Sequence, residues 1–104
     1  VPPEDALKFG DLELDPATLV LSTAGREIKL NLKEKELLEL LIARKNVITP
    51  KDLIIDRLWG FDSEATENYV EVYISFLRKK LSFLESHTAI TTLRGRGYRL
   101  EGER

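Results

Sequence analysis

From Leu7 to Leu30, short bursts of alternating apolar residues (Leu7 and Phe9, Leu12 and Leu14, Leu19 and Leu21, Ile28 and Leu30) are separated by the turn formers Gly10-Asp11, Asp15-Pro16 and Ala24-Gly25. On a pleated strand a period of two puts alternate residues on one face, so this region predicts a four-stranded antiparallel meander with a single apolar side. That side needs a cover, and the helices expected downstream are the available one.

After Leu30 the apolar period lengthens. Asn31-Leu32-Lys33-Glu34 reads as a capping box, with Asn31 accepting from the Glu34 amide while Glu34 reaches back, and it opens a helix whose stripe is Leu37, Leu38, Leu40 and Leu41. Thr49-Pro50 predicts an N-cap and a first-turn proline for a second, shorter helix. In that helix Asp52 favours the N-terminus electrostatically, and Leu53, Ile54 and Leu58 form the buried side before it ends near Trp59-Gly60. Residues 60–65 read as a loop, and either Thr66 or Ser63 caps the third helix, over about residues 67–83.

At 100° per residue Val70, Ile74, Leu77 and Leu81 share a narrow sector of the third helix and mark its core side. Roughly opposite lie Asn68, Val72, Ser75, Phe76 and Lys79, with Tyr69 at the border. This outer side is unusually apolar for solvent, which suits either a contact surface or a helix sandwiched between two layers of core. Ile90 to Leu93 and Gly97 to Leu100 are strand-like and joined through Arg94-Gly95-Arg96-Gly97, a hairpin spanning about residues 90–100. A helix with a basic end beside an arginine-tipped ribbon can engage neighbouring grooves of duplex DNA, and short arginines near a flexible tip suit a minor groove.

Charge changes the picture only when it is located. The whole chain of 104 residues carries a formal net charge of −2. Residues 75–100, however, hold six bases against one acid, a net of +5, whereas residues 1–36 hold eight acids against five bases, a net of −3. A polyanion feels the local field rather than the sum. The length suits one domain, residues 6–104, and Val1-Pro2-Pro3-Glu4-Asp5 has the character of a linker that something longer precedes. With no cysteine there are no disulfides or thiolate sites, which suits a reducing cytoplasm, and no apolar run is long enough to span a bilayer. No metal cluster, phosphate-binding loop or Ser-His-acid grouping stands out, so neither an enzyme nor a cofactor is expected. His87, in a polar loop, reads as a surface residue.

Four segments in this order resemble the C-terminal effector domain of OmpR/PhoB-type response regulators. They are Leu30-Asn31-x-x-Glu34-x-x-Leu37-Leu38-x-Leu40-Leu41, Leu58-Trp59-Gly60, Val70-Glu71-Val72-Tyr73-Ile74-Ser75-x-Leu77-Arg78-Lys79-Lys80-Leu81, and Thr92-Leu93-Arg94-Gly95-x-Gly97-Tyr98-Arg99-Leu100. The last two are the most specific, and the resemblance covers nearly the whole chain. It implies an α+β winged helix-turn-helix: an N-terminal four-stranded antiparallel sheet, three helices and a C-terminal hairpin wing. The implied function is sequence-specific binding of double-stranded DNA as the output of a two-component transcriptional regulator, with the third helix in the major groove and the wing at the adjacent minor groove.

Carried over position by position, the resemblance puts Asn68, Tyr69, Val72, Ser75 and Phe76 at base edges and Arg94 at the minor groove. Trp59, Tyr73, Arg78, Thr92 and Tyr98 meet phosphates, and Lys79 and Arg96 are added to that set as exposed cations near them. It further implies a preceding phosphoacceptor receiver domain, direct-repeat half-sites, RNA polymerase as a partner of the 60–65 loop, and an isolated domain that is mainly monomeric and pairs on DNA. Phe76 departs from relatives that often place a basic residue there; phenylalanine touches thymine methyl groups and donates no hydrogen bond, so a preference for T-bearing steps is expected. Asn31 for threonine, Glu71 for aspartate, Tyr73 for histidine and Lys35 for an aromatic are further departures.

Several of these residues have a second reading. Trp59 can plug the core, Tyr98 can anchor the wing to the third helix, Arg78 can pair with Glu71, and Arg99 can be a solvated strand residue. The competing function is a winged-helix protein-interaction module that uses the Tyr69, Val72 and Phe76 face.

Overall fold

A computed structural model of the protein describes residues 6–60 and 66–102. Its elements are β1 (Leu7–Phe9), β2 (Leu12–Asp15), β3 (Val20–Ser22), β4 (Glu27–Lys29), α1 (Leu32–Ala43), α2 (Lys51–Trp59), α3 (Glu67–Phe83), β5 (Ala89–Leu93) and β6 (Gly97–Glu101). The first four strands form an antiparallel meander in the order β1-β2-β3-β4, and β5 pairs with β6 in a separate hairpin. The predicted class, α+β with a winged-helix order of elements, is the one observed.

The meander's register explains its single apolar face. Leu7 lies opposite Leu14, Leu14 opposite Leu21, and Leu21 opposite Ile28, so one row of branched side chains crosses all four strands. Leu14 and Leu21, at the centre of that row, are fully buried beneath the helical layer. The parallel row Lys8, Glu13, Ser22 and Glu27 faces the other way and is polar throughout. Leu19 does not belong to β3: it occupies the left-handed region (φ 65°) in the turn after Asp15, and its carbonyl accepts from the Leu30 amide.

The capping box forms as expected. Asn31 Oδ1 accepts from the Glu34 amide at 2.8 Å, and Glu34 Oε1 accepts from the Asn31 amide at 2.9 Å. Glu34 is only 2% exposed, and its buried charge is met by Lys80 Nζ of α3 at 2.5 Å, which also donates to the Lys29 carbonyl. Thr49 does not cap α2. Helix α2 begins one residue later than expected, with Pro50 in the cap position and no side-chain cap, because Thr49 pairs its backbone with Tyr98. Leu53 is only half-buried, whereas Ile54 and Leu58 are in the core. Thr66 holds the cap position of α3 without a side-chain cap bond; Ser63, the alternative, lies outside the described residues, as do the linker reading of residues 1–5 and all of the 60–65 loop except Gly60.

The Gly10-Asp11 turn between β1 and β2 is tied to the segment between α3 and β5. Asp11 Oδ1 accepts from the hydroxyls of Ser86 at 2.6 Å and Thr88 at 3.2 Å, and Oδ2 accepts from the His87 amide at 2.9 Å. Desolvation pushes this carboxyl's pKa up, but the donors outweigh it and hold the group below its ordinary 3.8. A depressed folded-state pKa contributes stability above the unfolded value and loses it as pH falls through the folded one. Asp11→Ala should therefore lower the unfolding free energy by about 1 kcal/mol at neutral pH. Urea titrations should show the gap between the two proteins closing below pH 3.8, and a gap unchanged in acid would mean that the carboxylate charge contributes nothing.

Candidate nucleic-acid interface

Helix α3 has one buried and one bare side. Val70, Ile74, Leu77 and Leu81 are in the core, while Asn68, Ser75 and Lys79 are exposed and Tyr69, Val72 and Phe76 are 50%, 47% and 39% exposed. The sandwiched arrangement is thereby excluded: the outer face meets no second layer of the described chain.

An aromatic chain runs from the helical junction out to this face. The ring of Trp59, at the end of α2, lies 5.7 Å from Tyr69 and 5.6 Å from Tyr73, and Tyr73 lies 5.5 Å from Phe76 in a T-shaped contact at 80°. Lys33 Nζ sits 5.6 Å from the Trp59 ring centroid and donates to the Leu58 carbonyl. Edge-to-face pairs of this kind favour one ring orientation over others. Trp59 and Tyr73 are half-buried, so each packs inward and keeps part of its surface exposed.

The wing docks beside α3 through backbone. The Thr49 amide donates to the Tyr98 carbonyl at 2.7 Å, and the Tyr98 amide donates back to Thr49 at 3.0 Å. Arg44, at the end of α1, holds the same segment, donating to Ile48 O at 2.9 Å and Thr49 Oγ1 at 3.2 Å. At the tip the Arg96 amide donates to Leu93 O, closing a turn with Gly95 at φ 72°, the positive φ that a type II turn requires at this position. Arg94 and Arg96 are exposed there. A cleft between the tip and the N-terminal ends of α2 and α3 is lined by residues including Lys51, Glu67, Thr92, Arg94 and Arg96.

Not every expected cation faces outward. Lys80 is turned in to Glu34, Arg99 is paired with Glu101 at 2.6 Å, and Arg78, although exposed, donates to the Ile90 carbonyl and the Thr92 hydroxyl rather than pairing with Glu71. Lys79, Arg94 and Arg96 are exposed and have no ion-pair partner among the described residues. The face is therefore an apolar centre with cations at its rim. Tyr98 also departs from expectation. At 3% exposure it is a core residue, which fits the wing-anchor reading and leaves its side chain little surface to offer a phosphate; it anchors against the segment before α2 and lies 6.0 Å from Lys51 Nζ. Burial raises its phenol pKa.

Lys51 was missed by the sequence reading. From the start of α2 it reaches Glu71 at 3.0 Å and Glu67 at 3.8 Å on α3, and the Glu71 hydrogen bond raises its pKa. Only a base directly after Pro50 hinted at it.

The model for the C-terminal domain of transcriptional regulatory proteins matches residues 25–100. The chain belongs to this family. Among curated relatives, the transcriptional regulatory protein TcrA of Mycobacterium tuberculosis is 40% identical over 100 residues, covering 96% of this chain and 40% of TcrA. The chain thus spans about two fifths of such a relative's length. Among solved structures, the DNA-binding domain of Escherichia coli CadC superposes with a TM-score of 0.86 at 26% identity, covering 98% of this chain and 96% of that one. The DNA-binding domain of Klebsiella pneumoniae RstA, solved in complex with the RstA box, gives 0.76 at 27% identity, with 92% and 96% covered. Family members are transcriptional regulators, and no helix among the described residues is long and apolar enough to cross a membrane.

A Cβ on Gly97, at φ 142°, would lie 2.2 Å from the Thr49 carbonyl oxygen, whereas one on Gly95 would meet nothing within 4 Å. Gly95→Ala should cost about 1 kcal/mol for its positive φ alone. Gly97→Ala should cost at least about 2 kcal/mol more, because φ strain and backbone collision combine. Thermal melts of the two variants decide this, and equal losses would refute the close approach.

Proposed function

We propose that this chain is the DNA-reading output domain of a two-component transcriptional regulator, placing the outer face of α3 in the major groove and the β5–β6 wing at the adjacent minor groove. One observation carries the reading: a long helix fully buried on one side is bare along Asn68, Tyr69, Val72, Ser75 and Phe76, beside a ribbon with exposed arginines at its tip. An α-helix with its side chains fits the major groove, and a narrow arginine-tipped ribbon fits the minor one.

In this arrangement Asn68, Tyr69, Val72, Ser75 and Phe76 meet base edges and Arg94 enters the minor groove. Trp59, Tyr73, Lys79, Thr92 and Arg96 serve the phosphates. In the full-length protein a receiver domain precedes this one and governs its pairing on direct-repeat half-sites, with RNA polymerase met through the 60–65 loop. The isolated domain is mainly monomeric until it binds DNA, and it works in the cytoplasm. The solved complex of RstA with its box supports the DNA reading. The apolar centre formed by Tyr69, Val72 and Phe76 is the one observation that favours the competing protein-interaction module.

Salt separates the two readings. Binding to a selected duplex should fall log-linearly with salt, and Lys79→Ala or Arg96→Ala should each reduce the slope by about 1 while weakening all sequences alike. Phe76→Ala or Arg94→Ala should cost about 1–3 kcal/mol and relax preference at one site position. Selection from random duplexes that returned an invariant guanine opposite Phe76 would refute the thymine preference, and salt-independent binding would favour the protein module.

A further inference from the structure

Arg78 of α3 is exposed, yet part of its guanidinium is already engaged by the fold. Its guanidinium is turned along the flank of the helix toward β5, where Nε and Nη2 both donate to the Ile90 carbonyl, at 3.2 and 2.7 Å. Nη2 also donates to Thr92 Oγ1 at 2.7 Å. The Nε–Nη2 edge of the planar fork is thus committed to one carbonyl and one hydroxyl of the same strand, a geometry that an ammonium cannot copy.

The hydroxyl's chemistry gives this contact a direction. A threonine hydroxyl carries one proton and two lone pairs. In accepting from a guanidinium, Thr92 spends a lone pair and keeps its proton for an outside acceptor, and Thr92 is exposed. A donor whose oxygen already accepts a charge-assisted bond is polarised and donates more strongly. Ile90, gripped by the same guanidinium, is buried two residues earlier on β5, so the position of Thr92 relative to α3 is fixed as well.

We infer that Arg78 is a positioning residue that acts on the DNA backbone through Thr92, orienting and polarising its hydroxyl as a phosphate donor while setting the distance between wing and recognition helix. The inference rests on the DNA reading above. It replaces two independent phosphate contacts with one relay in which Arg78 delivers its charge one atom removed, and Thr92 is useful only while Arg78 holds it.

A double-mutant cycle with the isolated domain and a selected duplex tests the relay, with affinity and salt slope as readouts and thermal melts confirming that each variant is folded. Thr92→Val keeps the shape and removes the hydroxyl, Thr92→Ser keeps the hydroxyl, Arg78→Lys keeps the charge without the fork, and Arg78→Gln removes the charge. Thr92→Val and Arg78→Gln should each weaken binding by about tenfold, and the double variant by no more than either alone. Thr92→Ser should bind like the parent, while Arg78→Lys should bind like Arg78→Gln despite its charge. Additive losses, or full affinity in Arg78→Lys, would overturn the relay and return Arg78 to direct phosphate contact. If the parent domain itself shows no salt-dependent binding, it is the DNA reading that fails instead.

Discussion

Two backbone hydrogen bonds between Thr49 and Tyr98 hold the molecule's functional geometry together. A two-stranded ribbon is barely stable by itself in water, and β5–β6 pairs with no third strand among the described residues except through this bridge. The bridge closes only because Gly97 lets the two backbones approach within the space that a Cβ would fill. Arg44 secures the same segment from the end of α1, so the close of one helix, the start of the next and the tip end of the wing meet at one point. Further from the turn Ile90 and Leu100 join Tyr98 in the core, and the arginine-bearing tip, next to the bridge, inherits a fixed position relative to α3.

A second junction fixes the far end of α3. Glu34 completes the capping box of α1 and receives Lys80. Ion pairs this buried add little net stability, since desolvation offsets attraction. What this pair supplies is orientation: it joins the first turn of α1, the end of β4 and the last turns of α3 through one carboxylate and one ammonium. With one end of α3 held there and Lys51 bridging its first turns to α2, the helix is constrained at both ends while its middle stays bare.

The parts legible in the sequence are those governed by local periodicity and local hydrogen bonding. The core stripe of α3, the Asn31–Glu34 box and the glycine turn of the wing each depend on residues within a turn or two of one another, and the structure has all three. The parts that were not legible depend on distant partners. Thr49 has the chemistry of a cap, but a buried amide and carbonyl must be paired, and Tyr98, far along the chain, pairs both. Lys80, Arg78 and Arg99 count equally in a charge tally, yet their partners leave them one inward, one spent on a strand and one neutralised by Glu101. Tyr98 follows the wing motif to the letter, and its burial depends on a packing neighbour that no motif specifies.

The composition of the bare face bears on how it would discriminate. Phosphate contacts carry no sequence information, so a face with few cations at its centre must draw selectivity from shape and apolar contact. Phe76 is held edge-on by Tyr73, which is held in turn by Trp59 at the helical junction, so a chain of ring contacts runs back from this position into the fold. A ring restrained before binding loses little conformational freedom on contact, and affinity depends on that cost as much as on area. A flexible basic side chain at the same position would gain a hydrogen bond and lose more rotamer freedom. If the proposed DNA reading holds, the aromatic side chain would exchange the guanine code for a preformed surface that a thymine methyl can fill.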